Sequence, residues 1–318
     1  MSHTDAEKIL VGISSCLLGA PVRYNGGHKR NDYIEKTLGQ FFEFVPFCPE
    51  VDIGMGVPRP AIRLLAVDGG VRAVGVKDDS VDVTARLDRC AREQKSWHGN
   101  LCGYILKKDS PSCGMERVKT YTNGHPSKNG VGLYAARLMA NFPLLPVEEE
   151  GRLGDPVLRE NFLQRVYVFH RWRQLLAQGV SHSALTTFHA RHKLLFMSHH
   201  QNATRALGKI LASGAQRDAD QLAEQYIGAA MTLLKTKASR RNHVNVLQHI
   251  QGYLKRELEP DDKRELVEII EQYRLGAVPL IAPITLLRHH FRKNPDQYIA
   301  HSCYMQPWPE ALRRHDGI

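Results

Sequence analysis

The sequence holds no apolar run near the roughly 20 residues that a helix needs to cross a bilayer, so a helical membrane span is not expected. Its opening segment, MSHTDAEKILVGISS, lacks a basic stretch followed by a long apolar core, and the expected location is therefore the cytoplasm. The six cysteines include no Cys-x-x-Cys pair, so spacing alone does not mark a metal site. A disulfide framework is not expected either, because a chain of 318 residues with no export signal is not a small secreted scaffold. Reduced thiols, metal ligands or catalytic thiolates remain. Acidic residues are scarce only in the second half. Residues 1–150 hold nineteen Lys and Arg against eighteen Asp and Glu, whereas residues 151–318 hold twenty-four against fifteen, with twelve of the sixteen histidines.

The net charge of +10 thus sits almost wholly on the second half. RNA or DNA, before a membrane surface, is the partner class that such a charge suits, and a solubilising surface is the competing explanation. The remaining composition, 42% hydrophobic and 24% charged, is that of a globular protein long enough for two cores.

The first half alternates strands with helices. KILVGIS, FEFVPFC, LCGYILK and LLPVE read as buried strands, and IRLLAVDGGVRAVGV as a hairpin turning at Gly69-Gly70. DYIEKTLGQFF, VDVTARLDRCAREQKSW and GLYAARLMANF carry helical spacing. The pattern predicts an α/β domain with a mostly parallel sheet. At EEEGRLGDP glycine, proline and charge interrupt it, and nearly everything beyond Val157 is helical. PDDKRELVEIIEQYRLG has an acidic start and a closing Gly276, which are readable helix ends. The expected organisation is an α/β domain over 1–153 and an all-α domain over 154–318.

Cys16 follows the first strand, Cys48 the second, and Cys113 the strand GYILK within KKDSPSCG. Loops leaving the carboxyl ends of parallel strands converge on one crevice, so three distant thiols can meet there. Three soft thiolates suit zinc or an iron-sulfur cluster. Cys90, Cys102 and Cys303 fall elsewhere in the pattern and are left out of the site.

GISSCLLGAPVRYNGGHK, FCPEVDIGMGVPRPAIRL and LKKDSPSCG resemble the three signatures of the thiouracil desulfurase family. The second half, with FHARHKLLFMSHH, YRLGAVPLIAPITLLRHH and CYMQPWPEAL, resembles the helical domain of the two-domain bacterial tRNA 4-thiouridine desulfidases. That resemblance implies a 4Fe-4S cluster held by Cys16, Cys48 and Cys113, with the fourth iron free for substrate sulfur. It implies non-redox, hydrolytic removal of sulfur from 4-thiouridine in tRNA, with no obligate protein partner. Glu50 is the expected base and Ser110 the expected hydrogen-bond donor, with Ser112 its rival. Arg23, Asn25, Lys29 and Arg59 are candidate substrate contacts, arginine being suited to anions. Arg191, Lys193, Lys235, Lys237, Arg240 and Arg241 are candidate RNA contacts. The histidines of FHARHKLLFMSHH have no interleaved carboxylate and read as core or surface groups before metal ligands. Two alternatives stay open: an enzyme acting on free thiouracil or another thiolated base, and a nucleic-acid-binding protein with a redox-sensing or structural metal.

Overall fold

The computed structural model describes residues 8–214 and 218–315. The chain divides into two compact units, Met1–Phe162 and Leu163–Ile318. The first holds β1 (Ile9–Ser14), β2 (Phe42–Phe47), β3 (Ile62–Val67), β4 (Gly70–Gly75), β5 (Gly103–Leu106), β6 (Val118–Thr122), β7 (His125–Gly130) and β8 (Val147–Glu149). Its helices are α1 (Pro49–Asp52), α2 (Thr84–Glu93), α3 (Lys95–His98) and α4 (Leu133–Asn141).

Four strands form a parallel sheet in the order β2-β1-β5-β8. Central β1 is buried along almost its whole length, as its run of Ile and Val predicts. Gly12 sits in β1 because a Cβ there would come within 2.4 Å of the Tyr104 ring on neighbouring β5.

Two expectations change. DYIEKTLGQFF is not one α-helix: a π turn, Tyr33–Thr37, is followed by a 3-10 turn, Leu38–Gln40. Ile34 and Leu38 are buried as expected, but Phe42 pairs with Ile9 as the first residue of β2, so the helical segment stops short. Strand pairing outweighs local periodicity there.

The second change adds half a sheet to the expected β3–β4 hairpin, which forms with its turn one residue earlier than read, at Asp68-Gly69. No strand is expected over 115–132 from hydrophobic alternation, yet β6 and β7 form an antiparallel hairpin turning at Asn123 and Gly124, with φ of 50° and 81°. This Asn-Gly turn was the available signal. β6 also pairs in parallel with β3, giving a second four-stranded sheet, β4-β3-β6-β7. One face of that sheet closes over a core of Ile62, Leu64, Ala73, Val83, Leu87 and Val118.

Helix α5 (Pro156–Gln178) leads into a helix-rich region of α6 (His182–His199), α7 (Gln201–Ser213), α8 (Ala219–Leu234) and α9 (Arg240–Tyr253). It continues through α10 (Pro260–Leu275), α11 (Ile281–Lys293), α12 (Gln297–Ala300) and α13 (Glu310–His315). Ser181, Asp218, Ser239 and Asp296 cap α6, α8, α9 and α12 with their side chains. Helix α10 has the expected ends: Pro260 in the first turn, acids behind it, and Gly276 left-handed at the close. Among the described residues no helix is long and apolar enough to cross a membrane.

Candidate active site

Strands β2, β1 and β5 are neighbours in the parallel sheet, and the three cysteines lie just beyond their carboxyl ends. Cys16 sits in a 3-10 turn directly after β1, Cys48 caps α1 after β2, and Cys113 lies in the loop after β5. All three line one cavity of about 710 Å³. None is in a disulfide. Burial pushes the Cys16 thiol up to about 11, and the neighbouring Cys48 adds to the shift. Burial also raises Cys48, against the opposing pull of the Val51 and Glu50 backbone N–H groups in α1. Cys113 is raised first by burial and then by Cys48 and Glu50.

Among the described residues no three His, Cys, Asp or Glu side chains stand close enough to hold a single metal ion. Three soft thiols lining one cavity are a donor set that suits an iron-sulfur cluster.

Glu50 stands in the first turn of α1, preset by Pro49 at the first helical position. Its Oε2 accepts from both Nε and Nη2 of Arg59, each at 2.8 Å, and its Oε1 accepts from Ser112 Oγ at 2.5 Å. Arg59 is 8% exposed, so this is a buried, charge-assisted pair, anchored further by Arg59 Nη1 donating to the Gly56 carbonyl at 3.0 Å. The anion that Arg59 meets is thus a side chain of its own site.

Ser112 has one hydroxyl hydrogen, and the Glu50 carboxylate takes it in preference to Cys113 Sγ at 3.6 Å. Ser110 Oγ lies 2.9 Å from Ser112 Oγ and accepts from the Cys113 backbone N–H at 3.1 Å. Ser112 is 1% exposed and Ser110 only half-buried. The hydroxyls therefore form a chain, with Ser110 at the open end and Ser112 against the carboxylate.

The loop that carries Cys113 is held from several sides. Asp109 enters it with φ of 60°. At the start of α4, Leu133 and Ala135 donate to the carbonyls of Pro111 and Ser112 at 3.0 and 3.1 Å, and Gly132 donates to Gly114 at 2.8 Å. A Cβ on Gly132 would stand 2.6 Å from the Ser112 backbone. The acidic run read as a domain break also serves the site. Glu149 Oε1 accepts from Met115 N at 2.7 Å, and Glu150 accepts from Lys107 Nζ at 2.5 Å and from Lys108 N at 2.8 Å.

Of the other candidates, Arg23 and Lys29 line the cavity and Asn25 does not; its Oδ1 accepts from Gly27 N at 3.2 Å. Cys90, Cys102 and Cys303 are buried away from the cavity lining. The sequence reasoning missed Tyr24, Lys107, Arg63, Lys119, Tyr121 and Lys128, all of which face the cavity. Four of these six belong to the second sheet.

In the helical region, Arg191, Lys193, Lys235, Lys237, Arg240 and Arg241 are exposed. Lys193 lines a groove of about 430 Å³ with Arg205, Lys209 and His249. Arg240 is tied to the Tyr273 carbonyl and lies 4.8 Å over that ring, which commits it to packing. His192 is buried between Phe188 and Phe196, His199 is buried against Thr236 and Gln164, His189 meets Tyr226, and His200 caps α7.

Residues 11–150 match the family described as 2-thiouracil desulfurase, and residues 193–309 match the family described as a protein of unknown function, DUF1722. The uncharacterized protein YbgA of Escherichia coli K12 is 32% identical over 161 residues, covering 50% of this chain and 95% of its own. The uncharacterized protein YbbK of Bacillus subtilis 168 is 29% identical over 137 residues, covering 41% of this chain and 89% of its own. A solved structure described as a [4Fe-4S]-dependent thiouracil desulfidase, TudS, is 32% identical, with a TM-score of 0.37, covering 47% of this chain and 95% of that one. With its three signature cysteines on one cavity and a helix-rich region following, the chain belongs to the thiouracil desulfurase family and carries a DUF1722 domain at its C-terminal side.

Proposed function

We propose that this protein removes sulfur from 4-thiouridine in tRNA by hydrolysis, in a catalytic module over 1–153 followed by an RNA-binding helical module over 154–318. Cys16, Cys48 and Cys113 would hold a 4Fe-4S cluster. When bound, such a cluster supplies a soft Lewis-acid iron that draws electron density from a thiocarbonyl.

The reading rests on one observation above all: a carboxylate fixed at both oxygens stands in the same cavity as the three thiols. Glu50 Oε1 keeps one lone pair beyond that used by Ser112 and can take a proton from water at the substrate carbon. Arg59 and Ser112 hold the carboxylate still. Ser110, at the accessible end of the hydroxyl chain, has one hydrogen, which it gives to Ser112 at rest and can turn toward the substrate ring while Ser112 stays on Glu50. Water supplies the oxygen and its two protons, sulfur leaves as hydrogen sulfide or its anion, and no electrons are exchanged.

Glu50→Gln keeps the shape and removes the base. In anaerobically reconstituted protein we expect kcat for sulfide release from thiolated tRNA to fall by about 100-fold or more, with the cluster absorbance retained. Full activity in a variant that keeps its cluster would overturn the assignment. The family's description favours a second reading, in which free thiouracil is the substrate. A higher kcat/KM on the free base than on thiolated tRNA would decide for it.

A further inference from the structure

The first half of the chain is nearly neutral, yet the cavity is lined by eight Lys and Arg side chains against two carboxylates, Glu50 and Asp109. Much of this excess comes from the second sheet. Arg63 on β3 and Lys119 on β6 stand one residue before the paired Leu64 and Thr120, and Lys119 pairs directly with Lys128 on β7. Three cations therefore lie side by side across three adjacent strands. Alternation puts them on the face opposite the buried Leu64 and Val118.

The Lys119–Lys128 pair belongs to the regular ladder that runs back from the turn through Thr122–His125, Tyr121–Pro126 and Thr120–Ser127. The register shifts only beyond it, where Val118 pairs with Gly130 rather than Asn129. Like charges directly opposite one another destabilise a sheet. Neither ammonium has an ion-pair or hydrogen-bond partner among the described residues to offset this, whereas Arg63 is held by Asp79 at 2.9 Å and lies 5.3 Å over the Tyr121 ring. Tyr121 shares their face and also lines the cavity.

We infer that this face of β3, β6 and β7 is a phosphate shelf, binding the RNA backbone beside the nucleotide held in the cavity, with Lys119 and Lys128 as its free charges. The inference rests on the desulfidase reading for the identity of that nucleotide. An unsatisfied like-charge pair, held opposite one another by the hairpin register and placed at the rim of a reactive cavity, is what a polyanion would neutralise on binding.

The test compares the full-length holoenzyme with its Lys119→Gln/Lys128→Gln variant. We expect the ratio of kcat/KM on thiolated tRNA to that on free 4-thiouridine to fall tenfold or more. The salt dependence of tRNA turnover should become shallower by about 1.5 in log-log slope, the share of two phosphate contacts. The midpoint of thermal unfolding should hold or rise, because a repulsion has been removed. An unchanged ratio, or a lower unfolding midpoint with both substrates equally impaired, overturns the shelf. If wild type releases no sulfide from either compound, the desulfidase reading fails, and affinity for a sulfur-free single-stranded RNA oligonucleotide decides the shelf alone. Weakening of fivefold or more in the variant upholds it, and equal affinity overturns it.

Discussion

Single residues show most plainly what the sequence could and could not reveal. Cys16, Cys48, Cys113 and Glu50 are legible because each is fixed by a short local motif at a strand end. Whether Ser110 or Ser112 meets the carboxylate is not legible, because that depends on a turn entered through a left-handed Asp109. Arg59 illustrates a different limit: its chemistry is readable but its partner is not. The structure spends it on Glu50, with the two side chains 3% and 13% exposed. Breaking a buried pair strands the remaining charge, so Arg59→Met should cost about 3 kcal/mol of stability in urea unfolding. Arg59→Lys keeps the charge but not the two-nitrogen grip on Oε2 and should cost less. Both should lower kcat more than they change KM, the Met variant further, since Arg59 acts by positioning Glu50. A Met variant with wild-type kcat would remove that role.

At the scale of elements, strand-helix alternation made the parallel sheet readable and turn chemistry the β3–β4 hairpin, but the rest of the second sheet escaped because its central pairing joins β3 to β6 across more than fifty residues of chain. Strands with few apolar residues also give a weak periodic signal: β7 reads HPSKNG, and all of it but Gly130 is exposed. The elements that matter to the site meet at Gly132. There the first turn of α4 closes onto the cysteine loop, with its N–H groups bound to Pro111, Ser112 and Gly114. A side chain at this point has backbone on its near side, at 2.6 to 2.8 Å, and nothing flexible to displace. Gly132→Ala should therefore push the 110–114 loop away from α4, costing roughly 1–3 kcal/mol and disturbing Cys113 and Ser112 together. We expect iron content after reconstitution and sulfide release to fall in parallel, while Gly154→Ala, where a Cβ meets nothing within 4 Å, leaves both near wild type. Full iron loading in Gly132→Ala would show that the loop tolerates the shift.

For the whole molecule, charge totals were legible but their use was not: the near-neutral first half conceals a cationic cavity, and the histidine-rich second half places several histidines in its core. His192 and His243 are 1% and 6% exposed. Burial lowers each to about 3, with neighbouring arginines and, for His192, His189, or for His243, His199, adding to the shift. A histidine whose folded value is depressed takes up its proton in the unfolded chain first. The stability it supports is therefore fully present above about pH 6.5 and is lost as pH falls from there toward 3. By pH 5 the loss is about 2 kcal/mol for each of the two, which corresponds to a drop on the order of 10 °C in Tm for a region of this size. Far-UV circular dichroism, dominated by the helical region, should record that drop between pH 7 and pH 5. His192 stacks 4.1 Å from Phe188, and its Nε2 has no partner among the described residues, so His192→Phe removes the titrating group while keeping a ring in its place. The variant should recover about a quarter of the whole pH-dependent loss, because His189 and His199, which burial lowers to about 4, add similar losses of their own. Equal Tm values at pH 7 and pH 5 in the wild-type protein would mean that these imidazoles find water or relax outward on protonation, and that acid resistance is built into the helical core.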